Sequence, residues 1–180
     1  SSKRFFSGIT THTIFLSNAL SKRNRVSVVL LRNLLPRFLF PGRKHVGKEQ
    51  YSIDFNSNVD VYKGMDYNSP CSWIGAYRFL RKNRPDVIII LWWSSSVAHM
   101  QMFLKWVNKL SIRAKIILEM HEVVDPLEER IWPIRIYSRL AGRSLIRGLD
   151  AYTTQSGIDR EKVISVYHID PDKVHVVPVG

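Results

Sequence analysis

The sequence predicts an α/β fold with three layers, in which helices cover both faces of a mostly parallel sheet. Short β-branched runs alternate along the chain with longer amphipathic segments, and this alternation is typical of strand–helix–strand units. The chain has 180 residues, of which 45% are hydrophobic and 23% charged, so one domain with a sizeable core can form. We therefore predict a single domain over residues 1–180.

The individual elements follow from the periodicity of the apolar residues. Short apolar runs predict buried strands at Val26–Leu31, Val59–Tyr62, Val87–Leu91, Lys115–Glu119, Ala151–Thr154 and Val174–Val177. Amphipathic segments predict helices at Ile9–Leu20, Trp73–Lys82, Ser95–Leu110, Pro133–Arg147 and Ile158–Tyr167. Gly148 is expected to end the fourth helix, and Gly42–Asn58 to form a long loop. Because the order begins with a helix, we expect a first strand upstream of Ser1.

Cysteine content and hydropathy exclude several classes of protein. The single cysteine, Cys71, excludes a disulfide scaffold and a cysteine-based zinc site. The longest apolar run, Val87–Trp93, has seven residues and is too short to cross a membrane. The first 25 residues lack the apolar stretch of a signal peptide. We therefore expect a cytoplasmic protein.

The net charge of +12 indicates an anionic partner, and residues 1–50 carry +9 of it. Basic and large apolar side chains are interleaved in Arg32–Lys48, which we call the basic–apolar segment. Its basic residues are Arg32, Arg37, Arg43, Lys44 and Lys48, and its apolar residues are Leu34, Leu35, Phe38, Leu39 and Phe40. This composition favours an anionic membrane surface. The alternative is that the apolar groups pack on the sheet while the basic groups face water.

Ligands of open α/β sheets bind outside the carboxyl ends of the strands, so the predicted strand ends are the candidate sites. The loop at Ser7–His12 opens a helix whose free N–H groups are suited to phosphate. A plain helix start fits this spacing equally well, because the loop has neither a G-x-G-x-x-G pattern nor a Walker lysine. The candidate binding residues here are Gly8, Ile9, Thr10 and Thr11.

Two further strand ends carry candidate groups. Adjacent tryptophans on a strand point in opposite directions, so one of Trp92 and Trp93 is available to line a cleft. The serines after them either cap the next helix or bind hydroxyls, and we take Trp93, Ser94 and Ser95 as candidates. The polar strand end Glu119–Asp125 contains the candidates His121 and Glu122.

A histidine and a carboxylate at a strand end suit hydroxyl recognition or proton handling, and we favour this interpretation over a simple capping loop. A metal site is disfavoured because His121 and Glu122 alternate faces and no clustered histidine follows. Arginines also recur every four residues on the fourth predicted helix, where a solvated face is expected. They are Arg135, Arg139, Arg143 and Arg147.

The order of these motifs resembles the N-terminal half of a GT-B glycosyltransferase of the large retaining family 4. The resemblance covers nearly the whole chain and rests on an ordered set of segments. They are the Ser7–His12 loop, the helix end Asn18–Arg23, the strand Arg25–Leu31, Arg84–Ile88, the Trp-Trp-Ser-Ser-Ser turn, Ile116–Glu122, Gly148–Ser156 and Asp172–Gly180.

The resemblance implies a Rossmann-like acceptor domain, followed beyond Gly180 by a domain that binds the nucleotide-sugar donor. It implies that the 180-residue chain alone is inactive. Gly8 matches the family's loop glycine, and His121 matches its strand-end histidine, which makes His121 the candidate catalytic residue. Glu122 stands where the family often has Asp, and Val179 where it often has Asn. The basic–apolar segment corresponds to a variable region that touches the membrane in members acting on lipid carriers.

The function implied is sugar transfer from a nucleotide-sugar to a sugar or lipid-linked acceptor, with retention and without a metal or other cofactor. The expected location is cytoplasmic, and membrane binding by the basic–apolar segment would make it peripheral on the inner face of the plasma membrane. Two alternatives stay open: half of a sugar-nucleotide 2-epimerase, and a basic nucleic-acid-binding module. The first lacks obvious epimerase carboxylates, and the second lacks an RNP, helix-turn-helix or zinc-finger pattern.

Overall fold

The computed structural model describes residues 8–33, 54–66, 69–93, 97–122 and 132–178. Contacts divide the chain into two compact units, Ser1–Asn83 (unit 1) and Arg84–Gly180 (unit 2), each considered separately below. The assignment of residues 1–180 to one domain stays a prediction. The predicted loop Gly42–Asn58 lies outside the described residues except for 54–58.

Unit 1 pairs two parallel strands with two helices. Its elements are α1 (Gly8–Leu20), β1 (Ser27–Asn33), β2 (Asp60–Asp66) and α2 (Pro70–Asn83). Val28, Leu30 and Val59 form a small buried apolar cluster. Asn18 on α1 fixes the approach to β2, because its Nδ2 donates to the Asp54 carbonyl at 2.9 Å and its Oδ1 accepts from the Asn56 amide at 2.8 Å.

Unit 2 contains a parallel sheet with the strand order β3-β4-β5-β6. These strands are β3 (Val87–Trp92), β4 (Lys115–Met120), β5 (Ala151–Thr154) and β6 (Val174–Val176). Their connections carry α3 (Ala98–Val107), α4 (Trp132–Tyr137), α5 (Arg143–Ile146) and α6 (Gly157–Tyr167). The parallel α/β architecture predicted from the sequence is therefore confirmed.

One face of this sheet forms the core of unit 2. Alternate residues point to the same face of a strand, and the residues buried here recur with that period of two. Ile90, Trp92, Leu118, Met120 and Tyr152 are all less than 8% exposed and lie in one cluster with Leu145, Ile146 and Val163. The opposite face carries Glu119 and Thr153, which are partly exposed. The same face also carries the apolar Ile89, Leu91 and Ile117, so Glu119 and Thr153 are polar groups toward the carboxyl ends of β4 and β5 on a mostly apolar face.

Two polar side chains form hydrogen bonds at the edge of the sheet where the parallel strands begin, which we call the amino-terminal edge. Asn108 is 4% exposed, donates to the Ala114 carbonyl at 2.9 Å and accepts from the Ala114 amide at 3.0 Å. The Asp150 carboxylate accepts from the Ile116 amide at 2.9 Å and from Lys115 Nζ at 2.9 Å. Both side chains therefore satisfy backbone or charged groups at the entry to β4, ahead of Ile117, where the pairing with β5 begins.

Two predicted helices are interrupted where the sequence suggested continuity. The third ends as a π-helical turn, Asn108–Ile112, and Arg113 follows in the left-handed region with φ 64°. The fourth contains a π-helical turn, Ser138–Gly142, between α4 and α5. Gly148 has φ +71°, which agrees with its expected role as a stop. Lys105 Nζ on α3 also donates to the carbonyls of Ser144, Leu145 and Arg147 at the end of α5.

Candidate functional site

The candidate site lies at the carboxyl edge of the unit 2 sheet, where β4 and β5 end. Glu119 of β4 is paired in register with Thr153 of β5. His121 and Gln155 each lie two residues further along, so the register that aligns the strands also aligns these two side chains. Gln155 Nε2 lies 2.8 Å from His121 Nδ1. Gln155 was not among the predicted site residues, although it directly follows the predicted strand Ala151–Thr154.

Glu119 is the second neighbour of His121. Residues two apart on a strand face the same way, and Glu119 Oε1 lies 3.4 Å from His121 Nε2. Both side chains are mostly buried, with 15% and 12% of their surfaces exposed. The His121 backbone amide donates to the Trp92 carbonyl at 2.8 Å, which extends the β3–β4 ladder by one bond. The imidazole is thus held by its backbone and by a contact at each ring nitrogen.

This arrangement suits recognition of oxygen atoms. An imidazole, a carboxylate and a carboxamide together offer donors and acceptors within a few ångströms, as polyhydroxylated ligands require. Within the described part of unit 2, Glu119 and His121 would offer one ligand atom each to a metal.

Of the two adjacent tryptophans, one is buried and the other is partly exposed, as the alternation of side chains along a strand predicts. Trp92 is 4% exposed in the core, whereas Trp93 is partly exposed just after β3. Glu122 is exposed beside His121. The candidates Ser94 and Ser95 lie outside the described residues. Trp93 and Glu122 are therefore at the same sheet edge as His121, as expected from their positions after β3 and β4.

A histidine–tyrosine contact near the same edge was not predicted as a site. Tyr137 hydroxyl lies 2.9 Å from His99 Nδ1 and accepts from the His99 backbone amide at 3.2 Å. Burial raises the pKa of Tyr137, and the hydrogen bond from the His99 backbone amide partly opposes that rise. The hydroxyl fills one of the unpaired N–H positions in the first turn of α3, so we interpret this contact as helix capping.

The candidates in unit 1 occupy the predicted helix start. Helix α1 begins at Gly8, Ile9 and Thr11 are partly exposed, and Thr10 is 1% exposed. Thr13 Oγ1 donates to the Ile9 carbonyl at 2.7 Å. The assignment of Gly8, Ile9, Thr10 and Thr11 to ligand binding stays a prediction.

Of the five basic candidate residues, one lies within the described residues. Arg37, Arg43, Lys44 and Lys48 lie outside the described residues, and Arg32 is described only as a backbone position of β1. On the predicted arginine stripe, Arg143 and Arg147 are exposed, as a solvated face requires. They line an open groove of about 640 Å³ together with Ile136, Leu140 and Ser144.

Comparison with known families adds the evidence for identity. No curated protein matches the chain significantly. The profile of Glycosyltransferase Family 4 matches residues 6–180, which is nearly the full chain. The matched span includes every helix and strand described above. The chain belongs to glycosyltransferase family 4.

Proposed function

We propose that this chain is the acceptor-side part of an enzyme that transfers a sugar from a nucleotide-sugar to an acceptor with retention. Family membership supports transferase chemistry. The observation that carries the location of the site is the His121–Gln155–Glu119 cluster at the carboxyl edge of a parallel sheet. Ligands of open α/β sheets bind at this edge.

His121 is the residue that we assign to the reaction centre. Its imidazole is mostly buried and held at both ring nitrogens, so it is pre-oriented before substrate arrives. A pre-oriented donor stabilises charge that develops on an oxygen in the transition state without a reorganisation cost. Its role is to orient a hydroxyl and to stabilise that charge. The donor is a nucleotide-sugar, hexosyl transfer is expected, and neither a metal nor another cofactor takes part.

Release of nucleoside diphosphate tests the transferase assignment. The full-length protein is incubated with UDP-, GDP-, ADP- and dTDP-sugars and with sugar or lipid-linked acceptors, and the anomeric configuration of the product is read by NMR. Donor-dependent release with a retained configuration supports the proposal. Interconversion of the donor sugar without an acceptor would favour the 2-epimerase alternative instead.

We also propose that the basic–apolar segment binds anionic membrane surfaces, which favours a lipid or lipid-linked acceptor. Within the described residues no helix is long and apolar enough to span a bilayer. Each Lys or Arg near an anionic surface contributes on the order of 1 kcal/mol, so the segment's five basic residues suffice for peripheral binding.

Co-sedimentation with liposomes tests this second proposal. Binding to anionic vesicles is expected to weaken with salt and on changing Arg37, Arg43 and Lys44 to Glu. Equal sedimentation with neutral vesicles, or none with anionic vesicles, would contradict it and favour a soluble acceptor.

A further inference from the structure

We propose that Gln155 is a positioning residue that fixes the tautomer of His121. Its side-chain amide holds the neutral imidazole with the proton on Nε2, so that His121 presents an N–H donor instead of a basic nitrogen. This inference deepens the proposed transferase function and rests on it for its catalytic meaning. The tautomer itself is a property of the chain that can be measured without any substrate.

The first support is the contact at Nδ1. Gln155 Nε2 lies 2.8 Å from this nitrogen, which is a normal hydrogen-bond distance. The NH₂ group of a carboxamide donates and has no acceptor capacity. A neutral imidazole has one donor nitrogen and one acceptor nitrogen, so Nδ1 must carry the lone pair and Nε2 the proton.

The second support is the contact at Nε2. Glu119 Oε1 lies 3.4 Å from this nitrogen, and an ionised carboxylate only accepts. Turning the Gln155 amide by 180° would present its oxygen to Nδ1 and require a proton there. The lone pair of Nε2 would then face the carboxylate, which is repulsive. A donor at one nitrogen and an acceptor at the other therefore select the same tautomer.

The strand register explains why Gln155 reaches His121 Nδ1. Glu119 and Thr153 are paired, and the next residues on the same side of each chain are His121 and Gln155. The side chain of Gln155 is exposed, whereas that of His121 is mostly buried. Replacing Gln155 therefore opens no cavity, and its effect on His121 can be separated from an effect on folding.

The tautomer decides the chemistry available to His121. A nitrogen with a lone pair accepts a proton and acts as a general base, whereas an N–H group donates to an oxygen. With the proton on Nε2, the N–H faces Glu119 across 3.4 Å, which is longer than an ordinary N–H···O hydrogen bond. An oxygen of the transferred sugar or of the acceptor that comes closer would replace Glu119 as the acceptor of this proton. This role fits stabilisation of charge more closely than removal of a proton.

NMR of the imidazole nitrogens tests the proposal directly. Long-range ¹H–¹⁵N correlation spectra of the full-length protein are recorded at about pH 8, above the ordinary histidine pKa of about 6.5. The chain has six histidines, and His121→Asn identifies the signals of His121. We expect the Nε2–H tautomer in the wild type, a mixture in Gln155→Met, and the Nδ1–H tautomer in Gln155→Glu. Lys162→Met, an exposed change on α6, is the matched control and should keep the wild-type pattern.

An Nδ1–H tautomer in the wild type, or an unchanged tautomer in both Gln155 variants, would overturn the proposal. Kinetics supply the second readout. Gln155→Glu should lower kcat about tenfold or more while KM stays within about threefold, because only transition-state contacts are lost. An unchanged kcat would overturn the catalytic role. If the wild type transfers no sugar at all, the proposed function fails while the tautomer result still stands.

Discussion

The two edges of the unit 2 sheet use polar side chains in opposite ways. At the amino-terminal edge, Asn108 and Asp150 bond to backbone groups of Ala114 and Ile116. At the carboxyl edge, His121 and Gln155 bond to each other. Removing a side chain from the first edge leaves backbone groups unpaired, whereas removing one from the second does not. Polar side chains therefore support stability at the amino-terminal edge and are available for function at the carboxyl edge.

The largest expected effect tests the carboxyl edge. In the full-length enzyme, His121→Ala should lower kcat by about 10²–10³-fold, the usual scale for losing one transition-state donor. The imidazole is mostly buried, so the free energy of unfolding is measured beside kcat to separate a loss of chemistry from a loss of stability. Steady-state kinetics and urea unfolding measure the two quantities.

His168→Asn is the matched control for that change. His168 is exposed, ends α6 in the left-handed region with φ 54°, and Asn tolerates that conformation. It should leave kcat unchanged. An unaltered kcat in His121→Ala would remove His121 from the reaction centre.

The second effect tests the amino-terminal edge. Asn108→Ala should lower the free energy of unfolding by about 2–3 kcal/mol, because the Ala114 amide and carbonyl lose their partner in a buried setting. Urea unfolding measures it. Asn24→Ala, which removes one exposed bond to the Leu20 carbonyl, should cost less than about 1 kcal/mol. Similar costs for both variants would mean that the buried bonds add nothing.

The smallest effect concerns Asp150 and pH. The Ile116 amide, and next Lys115, lower the pKa of Asp150 below its ordinary value. The unfolded chain therefore takes up the proton first on acidification. The stabilisation is complete above the unfolded pKa of about 3.9 and is lost as pH falls through the folded pKa.

Asp150→Asn should accordingly destabilise the protein at pH 7 by less than about 1 kcal/mol, since the carboxylate is exposed. The difference from the wild type should shrink as pH falls through the folded pKa of Asp150, and unfolding followed from pH 7 into the acid range measures it. Asp172→Asn is the control, and an equal pH dependence in that variant would contradict the assignment.

The strands were the most predictable part of the fold. Ala151–Thr154 is confirmed residue for residue, and β3 and β4 each extend one residue beyond their predicted ends. Their β-branched runs are buried on the core face, so packing and propensity agree. The π-helical turns were not predicted, because apolar periodicity continues through Asn108–Ile112 and Ser138–Gly142.

The candidate site was only partly predictable for a related reason. His121 stands out in sequence because it follows an apolar strand directly. Glu119 lies two residues before His121, so the alternation of side chains along a strand accounts for that contact. Gln155 becomes a neighbour only through the pairing of Glu119 with Thr153, which no local pattern in the sequence reveals. The same holds for Asn108, whose polar side chain inside an amphipathic segment suggests a surface position although it is 4% exposed.

The two contacts that close the amino-terminal edge also differ in how much chain they enclose. Asn108 reaches a residue 6 positions away, whereas Asp150 reaches one 34 positions away. Closing the longer loop costs about 1.5 kcal/mol more conformational entropy. We therefore expect the Asn108 contact to form early in folding and the Asp150 contact late. Asn108→Ala should then mainly slow refolding, whereas Asp150→Asn should mainly speed unfolding. Stopped-flow kinetics would show whether the two contacts at this edge form in that order.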